Sequence, residues 1–306
     1  MFLDLLKIAF TFFSEKMEIF IKLLTVDITT FNDGKVWSGV RTMYNSMFSV
    51  GITIAAILMM VNLIDSSYRL IELKKPVVIL KYFCEVTLLY IMMYHIIDLL
   101  LWIYNMGAGL VKKALTAVGI ISSSGDLFFH ISLDPSIEPM YDSLGWINPE
   151  KAPARVLCIV AAIWIMVSTI TIMLVVYGRL FNIFMLVAVS PLPIACSLSG
   201  QTRRVFYSYL KTFTSVALEA LVIVAALYIF KVMAATLGPT DTSQVTVISG
   251  GFGLKFVVGA DGSVSTDSSD VVKALTSYLL ELSFMFAVLL AAIKGSEQLV
   301  NKIFGI

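Results

Sequence analysis

The stretch 187–204 reads VAVSPLPIACSLSGQTRR, and its reading decides how the rest of the chain is arranged. Pro191 and Pro193 sit in an apolar run that has no charged residue between Arg179 and Arg203. Each proline removes an N–H donor and crowds the preceding helical turn. Ser190 and Leu192 both precede a proline and are biased toward extended geometry. Within 180–202 about eleven residues lie on either side of Pro191, so each half reaches roughly 16 Å, about half of a hydrocarbon core. Non-helical backbone at that depth is tolerated only where protein or water covers it. Two conformations satisfy these constraints. The segment crosses with a kink, or it enters, turns at Ser190-Pro191-Leu192-Pro193 and leaves on the same side.

A membrane setting follows from composition. The 306 residues are 58% hydrophobic and only 14% charged, where an average soluble domain carries about 25% charged residues. The mean hydropathy is +0.91. The net charge of +1 provides no electrostatic case for nucleic-acid binding, and none that is sequence-specific is expected. Cys84, Cys158 and Cys196 are dispersed in or beside apolar segments, which suits buried thiols better than a disulfide framework or a zinc site. No cofactor or metal is expected. The N-terminus lacks a basic leader and Asp4 interrupts its apolar start, so a cleaved signal is not expected.

Outward from the proline segment, the chain divides into apolar runs. Spans are expected at about 42–64, 86–111, 156–178, 212–236 and 272–293, since about 20 apolar residues suffice to cross. Gly51 and Ala55 form a small-xxx-small pair able to seat a neighbouring helix, and Gly107-Ala108-Gly109 permits close packing. Residues 1–24 place Asp4, Lys7, Thr11, Glu15, Glu18 and Lys22 on one helical face. That stripe favours an amphipathic helix lying in the membrane interface, the alternative being a helix that packs on partners in a bundle. Residues 294–306 read as a short tail.

Two polar loops, within 112–155 and 237–271, carry acidic residues. The first holds Pro135, Pro139 and Pro149, which argue against long helices. In the second, QVTVIS and LKFVVGADGSV alternate, and Asp261-Gly262 is a hairpin turn signal, so a small β-hairpin is expected. GGFG at 250–253 lacks the strand and the Lys-Ser/Thr of a phosphate loop and reads as a turn. The loops' similarity places them on one face, which requires an odd number of crossings between 156 and 211. A re-entrant 180–202 supplies that parity and is the preferred form. Lys and Arg divide almost evenly between the two faces, so the positive-inside rule does not set orientation.

His95, Asp98, Glu219 and Glu281 are the ionisable residues to explain inside expected spans. A charge at mid-span costs several kcal/mol, roughly, and so faces protein, water or a partner charge. Three readings stay open: interhelical pairing with Arg179, Lys211 or Lys231, the polar lining of a passage in an oligomer, or a proton relay through His95 and Asp98. His130 is a lone loop histidine, and no catalytic constellation is visible, so no enzyme is expected.

The run VVYGRLFNIFMLVAVSPLPIACSLSGQTRRVFYSYLKTFTSVALEALVIVAALYIF at 175–230 resembles the core of the TrbL-like polytopic membrane subunits of type IV secretion and conjugation machines. Four features carry the likeness: Arg179 opening the segment, the small-Pro-aliphatic-Pro turn at 190–193, the basic and aromatic stretch with Arg203, Arg204 and Lys211, and a following span centred on Glu219. The resemblance implies an N-terminus outside the bacterial cytoplasmic membrane, about five crossings and a C-terminus inside. It also implies a homo-oligomeric ring at the base of the pilus or stalk, in contact with other secretion subunits and lipids, that contributes to substrate passage.

The expected fold is therefore an all-α polytopic membrane protein of about five transmembrane helices, with the proline-broken segment, the N-terminal amphipathic helix and the external hairpin. The expected function is a scaffold and channel component of a secretion machine. The competing reading is a secondary transporter using Asp98, Glu219 and Glu281, which would gather these residues in one closed cavity.

Overall fold

A computed structural model of the chain describes residues 2–67, 76–120, 152–200, 202–236, 240–242, 245–249, 255–259 and 268–305. The described elements are α1 (Phe2–Leu24), α2 (Lys35–Ser67), α3 (Pro76–Ala117), α4 (Ala152–Val189), α5 (Pro191–Ala195), a 3-10 turn (Cys196–Leu198), α6 (Arg203–Thr236), three short strands and α7 (Ser268–Phe304). Among the described residues five helices are long and apolar enough to cross a membrane: Lys35–Ile64, Phe83–Ala117, Val156–Val189, Arg203–Met233 and Leu279–Phe304.

These spans match the five expected apolar runs but are longer. The third continues through Phe181–Val189, so 156–178 and 180–189 are one helix and not two passages. The fourth begins at Arg203, with its basic stretch already helical. The residues read as a tail after 293 are the last turns of α7. Helical backbone satisfies its own polar groups, so a charged residue near a span's end does not stop the helix as it stops a hydropathy run. Thr240–Thr242, Val245–Ser249 and Lys255–Gly259 pair antiparallel in the order β1-β2-β3, with Val247 opposite Val257. The turn signal at Asp261-Gly262, the GGFG stretch, His130 and most of the 112–155 loop lie outside the described residues.

The chain divides into two compact units. The first comprises 1–23, 113–176 and 222–295. Its core is aromatic. Phe13 of α1 lies edge-on to Phe286 of α7 at 4.9 Å and to Phe230 of α6 at 6.3 Å, and Phe230 meets Phe286 at 5.4 Å. Such edge-to-face pairs contribute beyond their buried area. Leu6, Phe10, Met17 and Phe20 of α1 are buried with them, while Asp4, Thr11, Glu18 and Lys22 are exposed. The polar stripe is thus where the sequence placed it, and the apolar face is covered by the chain's own helices. Gly119, at φ +66°, closes α3 in the left-handed conformation that suits glycine. Its carbonyl accepts from Lys231 Nζ at 3.0 Å.

The second unit comprises 24–112, 177–221 and 296–306. α4 and α6 run antiparallel in it, as Tyr209 Oη donates to Leu186 O at 2.9 Å and Arg179 Nε donates to Val216 O at 3.0 Å. Gly107 of α3 lets the Ala217 carbonyl approach to 3.1 Å of where a Cβ would stand, whereas Gly109 has open space around it. Tyr44 of α2 donates to the Met93 carbonyl of α3.

Candidate functional site: the proline break and its polar surroundings

The break falls at Ser190, between α4 and α5, but the backbone there is not extended. Ser190 has φ −52° and ψ −30°, helical values, despite preceding a proline. Pro191 and Pro193 fall in the first turn of the new helix, Pro191 as its first residue, where a missing N–H costs little. Ser190, Pro191, Pro193, Ile194 and Ala195 are buried, and Leu192 is half-buried. The helix is interrupted rather than unwound, because burial and the N-terminal tolerance for proline outweigh the pre-proline bias.

Its direction beyond the break follows from what it touches. Phe31, just before α2, lies 6.1 Å from the ring of Phe184 on α4. Gly51 of α2 meets Pro191, and Asn62 Nδ2 donates to Leu198 O at 3.1 Å. Residues 184, 191 and 198 therefore advance alongside 31, 51 and 62. The chain keeps its direction past Pro191 and does not fold back at Ser190-Pro191-Leu192-Pro193. The reversal comes at Ser199–Thr202, where Ser199 is extended (φ −91°, ψ 134°) and its carbonyl accepts from Arg203 N at 2.9 Å. Thr202 Oγ1 ties the turn to Cys196 O at 2.6 Å. The segment is thus the continuation of the passage that begins at Val156: it neither turns back, as preferred, nor makes a separate crossing of its own. Gly51 does seat a neighbouring segment, and that segment is the break itself.

A buried polar patch lies between α4, α6 and α7. Arg179 is 3% exposed, and its Nη2 donates to Ala217 O at 3.3 Å. Its Nη1 makes no hydrogen bond among the described residues. Glu219 is 6% exposed and accepts from Ser296 Oγ at 3.0 Å. One helical turn away, Ser215 Oγ donates to Asn301 Oδ1 at 2.7 Å. Arg179 and Glu219 act on each other electrostatically across the patch. Ser215, Ser296 and Asn301 were missed in the sequence because two of them follow the last apolar run, and hydroxyls in helices carry no periodic signal.

His95 and Asp98 are placed otherwise. His95 Nδ1 and Asp98 Oδ2 stand 3.4 Å apart on the outer face of α3, with side chains 61% and 77% exposed. Leu88, Ile91 and Trp102 are exposed on the same face. Asp98 and Glu219 thus occupy opposite environments and are not gathered in one closed cavity. Glu281 is half-buried in the first unit. Of the basic flank, Arg179 is buried and Arg203, Arg204 and Lys211 are exposed. Among the described residues no group of three or more His, Cys, Asp or Glu could hold a metal ion.

No protein-family model and no curated protein matches this chain.

Proposed function

We propose that this chain is a membrane-embedded scaffold and channel component of a type IV secretion, or conjugative transfer, machine. It forms a homo-oligomeric ring in the bacterial cytoplasmic membrane at the base of a pilus or stalk and contributes to substrate passage. The observation that carries this reading is the exposed His95–Asp98 pair in the middle of an apolar span. A carboxylate facing lipid at mid-span costs about 2.5–3.5 kcal/mol on insertion scales. A second copy, or a water-filled passage that several copies enclose, removes that cost. The likeness of 175–230 to the TrbL-like core adds support, as do the five apolar helices.

In this reading α4, with its break, crosses once and α6 returns. Five crossings then place the acidic loops together on the outer face with the N-terminus, and the C-terminus inside. α1 fits that side, because its partner Phe230 lies near the outer end of α6. The external loops and α1 are the surfaces offered to other secretion subunits, and the external hairpin is part of that region.

The test is a projection image of the detergent-solubilised particle, which is expected to show a symmetric ring. A monomer that binds a small solute, with binding abolished by Glu219→Gln, overturns the proposal in favour of a transporter.

A further inference from the structure

A groove of about 710 Å³ opens beside the proline break, within the roughly 300–1,000 Å³ typical of ligand sites. Its walls include Ile54 of α2, Leu186 of α4, Leu192 and Pro193 of α5, all apolar. One side is polar, formed by Arg204 and Ser208 one helical turn apart on α6. Arg204 is exposed and makes no hydrogen bond or ion pair among the described residues. It also stands in the first turn of a 34-residue helix that has no acidic residue there. A helix N-terminus carries partial positive charge, so two arginines at that end add to a positive potential that nothing in the turn offsets.

We infer that this groove binds an anionic phospholipid, with the phosphate on Arg204 and Ser208 and an acyl chain along Ile54, Leu186, Leu192 and Pro193. The occupant follows from the two kinds of surface and their order. A soluble anion would leave the apolar wall wet, and a neutral lipid would leave Arg204 without a counter-charge. Arg204 stands at the end of a membrane-length helix, where headgroups lie, and Leu186 lies further along that helix, at Tyr209. The spacing suits a guanidinium fork on phosphate oxygens with a hydroxyl donor beside it. The inference needs only a membrane setting and does not depend on the secretion reading.

Cys196 also lines the groove and serves as its probe. The experiment uses the full chain with Cys84→Ser and Cys158→Ser, reconstituted in nanodiscs of phosphatidylcholine alone or mixed with phosphatidylglycerol. Labelling of Cys196 by a neutral maleimide is expected to slow about fivefold with phosphatidylglycerol, the factor for one basic residue at an anionic surface. Arg204→Gln is expected to remove the difference between the two lipids. Val205→Trp, at an exposed position on the groove wall, is expected to occlude it and abolish the lipid dependence while Arg204 remains. A chain retaining only Cys84, which lines a neighbouring groove with Glu85 and Arg203, reports any general effect of surface charge and is expected to show none. Equal Cys196 rates in the two lipids, slowing that persists in Arg204→Gln, or the same slowing at Cys84 overturns the proposal.

Discussion

A methyl group added at Gly51 would stand 2.8 Å from Met93 Cε, 3.0 Å from the Pro191 carbonyl oxygen and 3.1 Å from Pro191 Cβ. The methionine can swing aside, but the proline backbone cannot. Gly51→Ala is therefore expected to destabilise the fold by about 1–3 kcal/mol, the usual cost of overpacking. Gly39→Ala, in open space on the same helix, is expected to be neutral or stabilising by up to about 1 kcal/mol. Denaturant titration of the purified protein in detergent separates the two. Glu219 makes a second residue-scale prediction. Glu219→Leu removes the hydrogen bond between Ser296 and Glu219 and leaves Arg179 buried without the nearby opposite charge. A loss of about 0.5–1.5 kcal/mol is expected from the lost hydrogen bond, and Glu219→Gln, which keeps an acceptor, is expected to lose less in the same titration.

At the scale of the element, the proline pair divides one long helix into two pieces. Without it, residues 152–198 have every local reason to continue as one α-helix, and the position of Leu198 beside Asn62 depends on the break. The contact between Asn62 and Leu198 reports this directly. In a chain with its native cysteines replaced, Asn62→Cys with Leu198→Cys is expected to cross-link with a short bifunctional reagent. Adding Pro191→Ala and Pro193→Ala is expected to reduce the yield severalfold, and an unchanged yield shows that the α2 seat alone holds α5 in place. The amphipathic α1 makes the complementary point. Its polar stripe was legible from spacing alone, but the stripe fits a lipid surface and a protein surface equally well. The ring contacts of Phe10 and Phe13 with Phe286 identify what covers the other face.

For the whole molecule, the decisive contrast is between ionisable residues satisfied inside the protomer and those displayed outside it. Asp98→Leu changes a side chain that the protomer's own fold barely contacts, so it is expected to leave the unfolding midpoint of the isolated chain within about 0.5 kcal/mol of wild type. In the ring reading it is expected to weaken assembly, seen as a shift to smaller particles by size-exclusion chromatography with light scattering. An unchanged oligomer excludes Asp98 from the contact between copies.

Hydropathy and proline chemistry, both local properties, were enough to identify five membrane-length helices, the position of the break and the polar stripe of α1. They could not say which way the chain leaves Ser190, because a proline pair disrupts a helix equally well in a kink or a reversal. That choice belongs to the Gly51 seat and the Asn62 hydrogen bond, which join residues far apart in sequence. Nor could they separate Glu219 from Asp98, two carboxylates in comparable apolar runs. Burial is decided by the neighbouring helix, and only packing puts Ser296 beside the one, while the other stands exposed with His95 of its own helix.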